Sequence, residues 1–336
     1  MKARYSKKTF HFKRPSGTSR GILTEKHAWF LEVWHEEQPE IAGIGECSII
    51  PGLSPDFVDF ESYERKLTEV CDDLSIDLTN WPSIQFGLET ALLDLKNGGK
   101  GVIFENGFVK GKRHIPINGL IWMGDAGFMQ EQIEAKLSEG FTTIKLKIGA
   151  IDFQAEIELL TSIRKRYSKD EITLRVDANG AFSLHEAEEK LSALAKLDIH
   201  SIEQPIKQGQ WEEMHKLCQS TPLPIALDEE LIGINTTAEK IALLDTIQPQ
   251  YIILKPSLHG GIVGTKEWIE LAEDRNIPWW ITSALESNIG LNAICQLTAE
   301  YDNNLPQGLG TGSLYTDNIP SGLSVLDGKI FLKHVE

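Results

Sequence analysis

TIKLKIG at residues 143–149 is followed by ITLRVDANG at 172–180, SIEQP at 201–205, PIALDE at 224–229 and YIILKP at 251–256. Each is a short run rich in β-branched and apolar residues, and each closes on a charged or polar group. Runs of the same kind stand before them, PINGLIW at 116–122, and after them, PWWITS at 278–283 and QGLGTG at 307–312. The intervals leave room for one strand, one helix and two loops. The connecting segments carry helical signs: Phe153, Ile157 and Leu160 fall at helical spacing, and Ser183 with Glu186 has the capping-box pattern ahead of Ala187, Leu191 and Leu194. Strand then helix, repeated about eight times, predicts an α/β fold of the (β/α)8-barrel type, whose chemistry sits at the carboxyl ends of its strands.

Working outward, the first hundred residues follow another pattern. Alternation near 5–12 and 28–35 predicts antiparallel strands, and Phe60, Tyr63, Leu67, Val70 and Leu74 mark a helix. A second helix is expected to start at Ser83, and GIGECSIIPGLSP (43–55) reads as a glycine- and proline-rich loop. The expected domains are an α+β unit over 1–112, a barrel over 113–320, and a segment over 321–336 that packs back on the first unit.

Within the barrel the charged residues share a face. Side chains alternate along a strand, so Lys145 and Lys147 point one way and Ile144, Leu146 and Ile148 the other. By the same parity Asp177 goes with Arg175 and Asn179, Glu203 with Ser201, Asp228 with Ala226, and Lys255 with Ile253. Asp177, Glu203 and Asp228 recur at intervals of 26 and 25 residues, and Lys255 follows 27 further on. Neighbouring strands would bring three acids to one point, where burial is costly unless a hard divalent cation stands between them. A structural network of three acids with three lysines is the alternative reading. The oxygen-only set favours Mg2+, with Mn2+ admitted, and none of the nine histidines forms an H-x-H pair for zinc.

The balance of 33 basic against 49 acidic side chains leaves a net charge of −16, which argues against nucleic acid or an anionic membrane as partner. The first fourteen residues hold six Lys or Arg, but no apolar stretch follows them as an export signal requires. Cys47, Cys71, Cys218 and Cys295 lack metal or redox spacing and read as reduced thiols, so a cytoplasmic location is expected. Oligomeric state has no sequence signal.

KLK at 145–147, DANG at 177–180, EQP at 203–205, DE at 228–229 and KPS at 255–257 together resemble the enolase superfamily, in its muconate-lactonizing-enzyme subgroup. The α+β unit resembles that superfamily's capping domain. Within the subgroup, SGTSRG (16–21), GECSIIPGLSP (45–55), SALESNIG (283–290) and GLGTG (308–312) are most similar to the dehydratases that form o-succinylbenzoate in menaquinone biosynthesis. The resemblance implies a metal held by Asp177, Glu203 and Asp228, with Lys147 as the base that removes a proton α to a carboxylate. It also implies that Lys255 faces Lys147 across the substrate, that Lys145 tunes Lys147, and that Asn179 and Glu229 support the ligands. Loops at 16–21 and 48–55 are expected to close over the barrel, with Arg20, Ser283, Glu286 and Gly310 as substrate contacts. Trp279 and Trp280 are expected to be packing residues. N-acylamino-acid racemases, dipeptide epimerases and cycloisomerases of the same superfamily are the alternatives. GLGTG lacks the Asp-x-Asp pair of the epimerases, which counts against that one.

Overall fold

The computed structural model describes residues 1–18, 21–122, 124–149 and 151–333. Three antiparallel strands open the chain, β1 (Lys2–Thr18), β2 (Gly21–His35) and β3 (Gln38–Ser48), in that sheet order. Helices α1 (Phe60–Asp72) and α2 (Pro82–Lys96) cover one face. Trp29, Leu31 and Val33, alternate residues of β2, pack with Tyr63, Leu67 and Val70 of α1 and with Ile84 and Leu88 of α2. The loop expected over 43–55 starts only at Ile49, and residues 43–48 are instead the end of β3. Its glycines are there for contact with a helix: a Cβ on Gly43 would lie 2.0 Å from the Ala91 carbonyl oxygen, and one on Gly45 would lie 1.8 Å from that of Gly87. A turn signal was in fact a close-packing signal.

The barrel follows, after the short β4 (Ile115–Pro116), as β5 (Gly119–Ile121), α3 (Ala126–Ser138), β6 (Thr143–Lys147), α4 (Phe153–Arg166), β7 (Thr173–Asp177) and α5 (Leu184–Ala195). It continues as β8 (Ser201–Glu203), α6 (Trp211–Ser220), β9 (Ile225–Leu227), α7 (Thr237–Ile247), β10 (Tyr251–Leu254), α8 (Gly261–Glu273), β11 (Trp279–Ile281) and α9 (Asn288–Thr298). Strands β5 to β11 pair in parallel in sequence order. The eighth repeat is reduced to two residues: Gln307 bridges to Ile117 and Gly308 to Thr282, which closes the ring. No helix follows this eighth position among the described residues; the chain runs on to the hairpin β12 (Leu323–Leu326) and β13 (Lys329–Leu332). The Ser183–Glu186 pair does not form the expected box, because the serine hydroxyl donates to the Glu186 carboxylate and caps no backbone N–H. The reciprocal box occurs at Thr236 and Glu239, ahead of α7.

Packing back of the C-terminal segment on the first unit is corrected by the pairing seen. β13 pairs with β4 at Ile330–Ile115, so residues 323–332 belong to the barrel's underside. Contact with the N-terminal sheet comes earlier, where Tyr315 bridges to Phe12 and Asp317 accepts from the His11 amide at 2.9 Å.

Alternate residues of the barrel strands divide between two environments. Ile144, Leu146, Leu174, Val176, Ile202 and Leu254 face the helices. Inside, Ala226, Ile253 and Trp280 form a plug, and the Arg175 guanidinium lies 4.0 Å over the Trp280 ring while donating to the Pro306 carbonyl at 2.7 Å. This plug is the floor on which the polar layer rests. No helix among the described residues is long and apolar enough to cross a membrane.

Candidate active site

Above the floor, β6, β7 and β8 end on Lys147, Asp177 and Glu203, and Asp228 and Lys255 directly follow β9 and β10. The register levels them, with Lys147 opposite Asp177 and Asp177 opposite Glu203. In a ring of eight positions, β6 and β10 stand four apart, so Lys147 and Lys255 face each other across the mouth with the three acids on the arc between them. Lys145 lies one layer lower and points up between Asp177, at 3.0 Å, and Glu203. The parity reading therefore holds at every one of these strands, and the cause is the two-residue period of the pleat.

All three carboxylates are buried: Asp177 is 1 %, Glu203 3 % and Asp228 0 % exposed. Lys147 donates to Asp177 Oδ2 at 3.0 Å and to Asn179 Oδ1 at 2.7 Å, and Lys255 donates to Asp228 Oδ2. Burial alone would raise the Asp177 pKa, but Lys145 and Lys147 outweigh it and hold that carboxyl well below the usual carboxylate range. Glu203 goes the other way, pushed up to about 8 by burial and then by the charge of Asp177. Burial would lower Lys145, yet Asp177 and Glu203 raise it; Lys255 is likewise raised, against burial, by Asp228 and Glu229.

The fit of a cation can be judged from the oxygens these lysines leave over. Glu203 Oε1 and Asp228 Oδ1 are buried and accept no hydrogen bond. Anionic oxygens in that position are expensive unless a cation meets them, and an all-oxygen set suits Mg2+. Among the described residues no three acid, imidazole or thiol groups already form a cage, since ammonium groups stand between the acids. Shifting Lys145 or Lys255 off its carboxylate would open the space.

Supporting contacts are dense. Asn179, at φ 45°, donates to Glu229 Oε1 at 2.9 Å, so these two form one brace behind Lys147. Gln204, at φ 40°, accepts at Oε1 from the backbone N–H groups of Asp228 and Glu230. Left-handed backbone at two non-glycine residues beside the acids is strain held by its surroundings. His259 was not singled out by the sequence, yet its Nδ1 accepts the Lys255 N–H at 2.9 Å. Lone histidines carry no spacing signal, so nothing in the chain pointed to it.

A cavity that opens to solvent lies over this layer. Ile50 and Leu53 of the 48–55 loop, Trp122, Ala284 and Leu285 give it an apolar side opposite the charged floor. Ser283 and Gly310 line it as expected, and the Ser283 hydroxyl is held by Thr311 at 2.7 Å. Glu286 does not: it is fully buried behind the wall, accepting from Ser257 at 2.5 Å. Its position after β11 suggested the mouth, but the turn at Leu285 sends its side chain away from it. Trp279 packs outward against Tyr301, whereas Trp280 is both floor and cavity lining. Arg20, an expected substrate contact, lies outside the described residues.

Residues 128–334 match the family described as enolase C-terminal domain-like. The chain is 48% identical to an o-succinylbenzoate synthase of Desulfotalea psychrophila over 98% of both proteins. The crystal structure of MenC from the same organism superposes with a TM-score of 0.88 at 44% identity, covering 99% of each chain. An L-Ala-D/L-Glu epimerase of Bacillus subtilis is 29% identical over 52% of this chain and 47% of its own length.

Proposed function

This chain belongs to the enolase C-terminal domain-like family, and from that premise we propose that it is a Mg2+-dependent dehydratase. It forms o-succinylbenzoate from 2-succinyl-6-hydroxy-2,4-cyclohexadiene-1-carboxylate, a step of menaquinone biosynthesis. The observation that carries the reading is the placement of Lys147 and Lys255 on opposite sides of one cavity, with Asp177, Glu203 and Asp228 between them. Near-full-length similarity to an o-succinylbenzoate synthase supports the choice of substrate.

A divalent cation held by Asp177, Glu203 and Asp228 would supply Lewis-acid stabilisation of the substrate carboxylate as charge builds on it. The chain's own groups do the rest. Lys147 Nζ, as the free amine, takes the proton from the carbon next to the carboxylate; the C–H electrons form a C=C bond to the carboxylate carbon, whose C=O π electrons move onto oxygen to give the enediolate. The same ammonium then returns that proton to the departing β-hydroxyl, so the C–O bond breaks, water leaves and the ring becomes aromatic. Lys255, across the cavity, offers a fixed positive charge to the enediolate, an interaction that strengthens only as the charge develops. Lys145 lies one layer below Lys147 and places a second ammonium in the site, beside Asp177 and Glu203. Asn179 and Glu229 keep Lys147 oriented, and the apolar wall of Ile50, Leu53 and Leu285 excludes water.

Incubation of the purified protein with the diene and Mg2+ is expected to remove the diene absorbance. Chelation should abolish the loss and Mg2+ restore it, and Lys147→Ala should reduce kcat at least about 1,000-fold while folding normally. Failure of the wild type to turn over the diene rejects the assignment. A second reading, racemisation of an N-acylamino acid, is favoured by the symmetric placing of the two lysines, since 1,1-proton transfer needs one on each face. Solvent-deuterium incorporation with inversion of N-succinyl amino acids, lost in Lys255→Arg, would identify it. GLGTG (308–312) has no Asp-x-Asp pair, which disfavours a dipeptide substrate.

A further inference from the structure

Lys26 is a fully buried lysine that belongs to no part of the machinery described so far. It sits on β2, paired with Phe10, and is 4 % exposed. Its ammonium crosses from the N-terminal domain into the barrel rim and donates to the carbonyl oxygen of Ala284. Two buried carboxylates flank it. Glu46, on β3, accepts from Ser287 N at 2.8 Å, from the Ser287 hydroxyl and from Gly290 N at 2.9 Å, and so caps the start of α9 from the other domain. Glu286 accepts from Ser257 at 2.5 Å with Oε1, and its Oε2 has no hydrogen-bond partner. Burial draws the Lys26 amine down to about 8 although Glu286 and Glu46 both pull it up, the mark of a cation taken out of water.

The turn these groups surround is strained. Leu285 has φ 64°, a left-handed conformation costly for a residue with a branched side chain, and it persists only where neighbours over-determine it. Four contacts do so: Lys26 on Ala284 O, Tyr315 Oη on Leu285 O at 2.5 Å, the Ser283 hydroxyl accepting from Leu285 N at 3.0 Å, and Glu46 on Ser287 N. Two of the four come from the N-terminal domain. Ser283, Ala284 and Leu285 also line the cavity, and Ala284 and Leu285 pack with Ile50 and Leu53 in its apolar side.

We propose that Lys26 is a positioning residue for substrate selection: its ammonium, bonded to the Ala284 carbonyl oxygen, holds the 283–285 turn in its strained form, so that the docked N-terminal domain sets the shape of the apolar wall against which the non-reacting part of the substrate lies. The holding of the wall stands on geometry alone, while its role in selection rests on the dehydratase reading above. The wall touches no reacting atom, so its contribution is to binding shared by ground and transition states.

The test compares the full-length wild type with Lys26→Met and Lys26→Arg. Amide hydrogen exchange across 283–287 should accelerate in Lys26→Met, with exchange in β6 to β9 unchanged, and return toward wild type in Lys26→Arg. KM for the diene should rise about 10-fold in Lys26→Met with kcat within a factor of about 3, and recover in the arginine variant. Because Lys26→Met leaves two buried carboxylates without their cation and can fail to fold, Lys26→Met with Glu286→Gln provides the same comparison with one charge removed. Unchanged exchange in 283–287, in either folded variant, overturns the proposal. A fall in kcat at constant KM overturns the selection role. If the wild type does not turn over the diene, the functional assignment fails, and the exchange measurement still decides whether Lys26 holds the wall.

Discussion

At the scale of single residues, the charged layer shows how one chemical type is tuned to different ends by its surroundings. Asp177 and Glu203 lie side by side, equally buried, yet the first is held below the carboxylate range by two lysines and the second is raised to about 8. A simpler case, outside the cavity lining, gives a clean pH prediction. Asp56 is buried before α1, accepts from the Ser83 N–H at 2.9 Å and from its hydroxyl at 2.6 Å, and is pushed up to about 6 by burial against those hydrogen bonds. A carboxyl whose pKa is higher in the folded than in the unfolded chain stabilises the fold below pH 4 and loses that contribution as pH rises through 6. The shift is worth about 3 kcal/mol. Asp56→Asn keeps the acceptor without the charge, so it should melt higher than wild type at pH 7.5 and lose that advantage by pH 4. An equal melting difference at both pH values would contradict the assignment. These residues also show what the chain disclosed: strand parity put Lys145, Lys147, Asp177, Glu203 and Asp228 on one face, because a pleat's period is two whatever the tertiary context. His259 and Gln204 were not assigned, because a residue that holds another's backbone N–H carries no spacing of its own.

At the scale of elements, the clearest lesson is the edge between β3 and α2. Glycine at 43 and 45 suggested a loop, but the strand continues and the glycines let the helix backbone approach to van der Waals contact. Gly45→Ala should therefore lower stability by about 1–3 kcal/mol through overpacking, read as a fall in melting temperature with little change in the barrel's ligand affinity. An unchanged melting temperature would mean that α2 can slide off β3 freely. Helix ends illustrate the same limit. Ser183 and Glu186 have the right spacing but bond to each other, whereas Thr236 and Glu239 complete the reciprocal box.

At the scale of the whole molecule, the barrel is closed by very little chain. Gln307 and Gly308 alone fill the eighth position, and the fully buried Gln307 side chain accepts the Ile281 N–H at 2.7 Å through Oε1 and donates to the Leu305 carbonyl at 2.6 Å. Gln307→Ala would leave the Ile281 N–H buried without a partner, at a cost of about 1–3 kcal/mol, and should lower the melting temperature without altering the charged layer. If the variant is as stable as wild type, the closure is carried by backbone pairing alone. The N-terminal domain contributes to the cavity through Ile50 and Leu53, and it reaches the barrel rim through Lys26 and Glu46. By itself the sequence determined the repeating strand–helix architecture and the face on which the acids and lysines lie, because both follow from periodicities that act locally. Only the tertiary structure decided that the eighth strand is a two-residue bridge, that the C-terminal hairpin pairs with β4, and that Glu286 turns away from the cavity toward Ser257. Those outcomes depend on contacts between segments far apart in the chain, whose energies are settled by packing and burial rather than by any pattern along it.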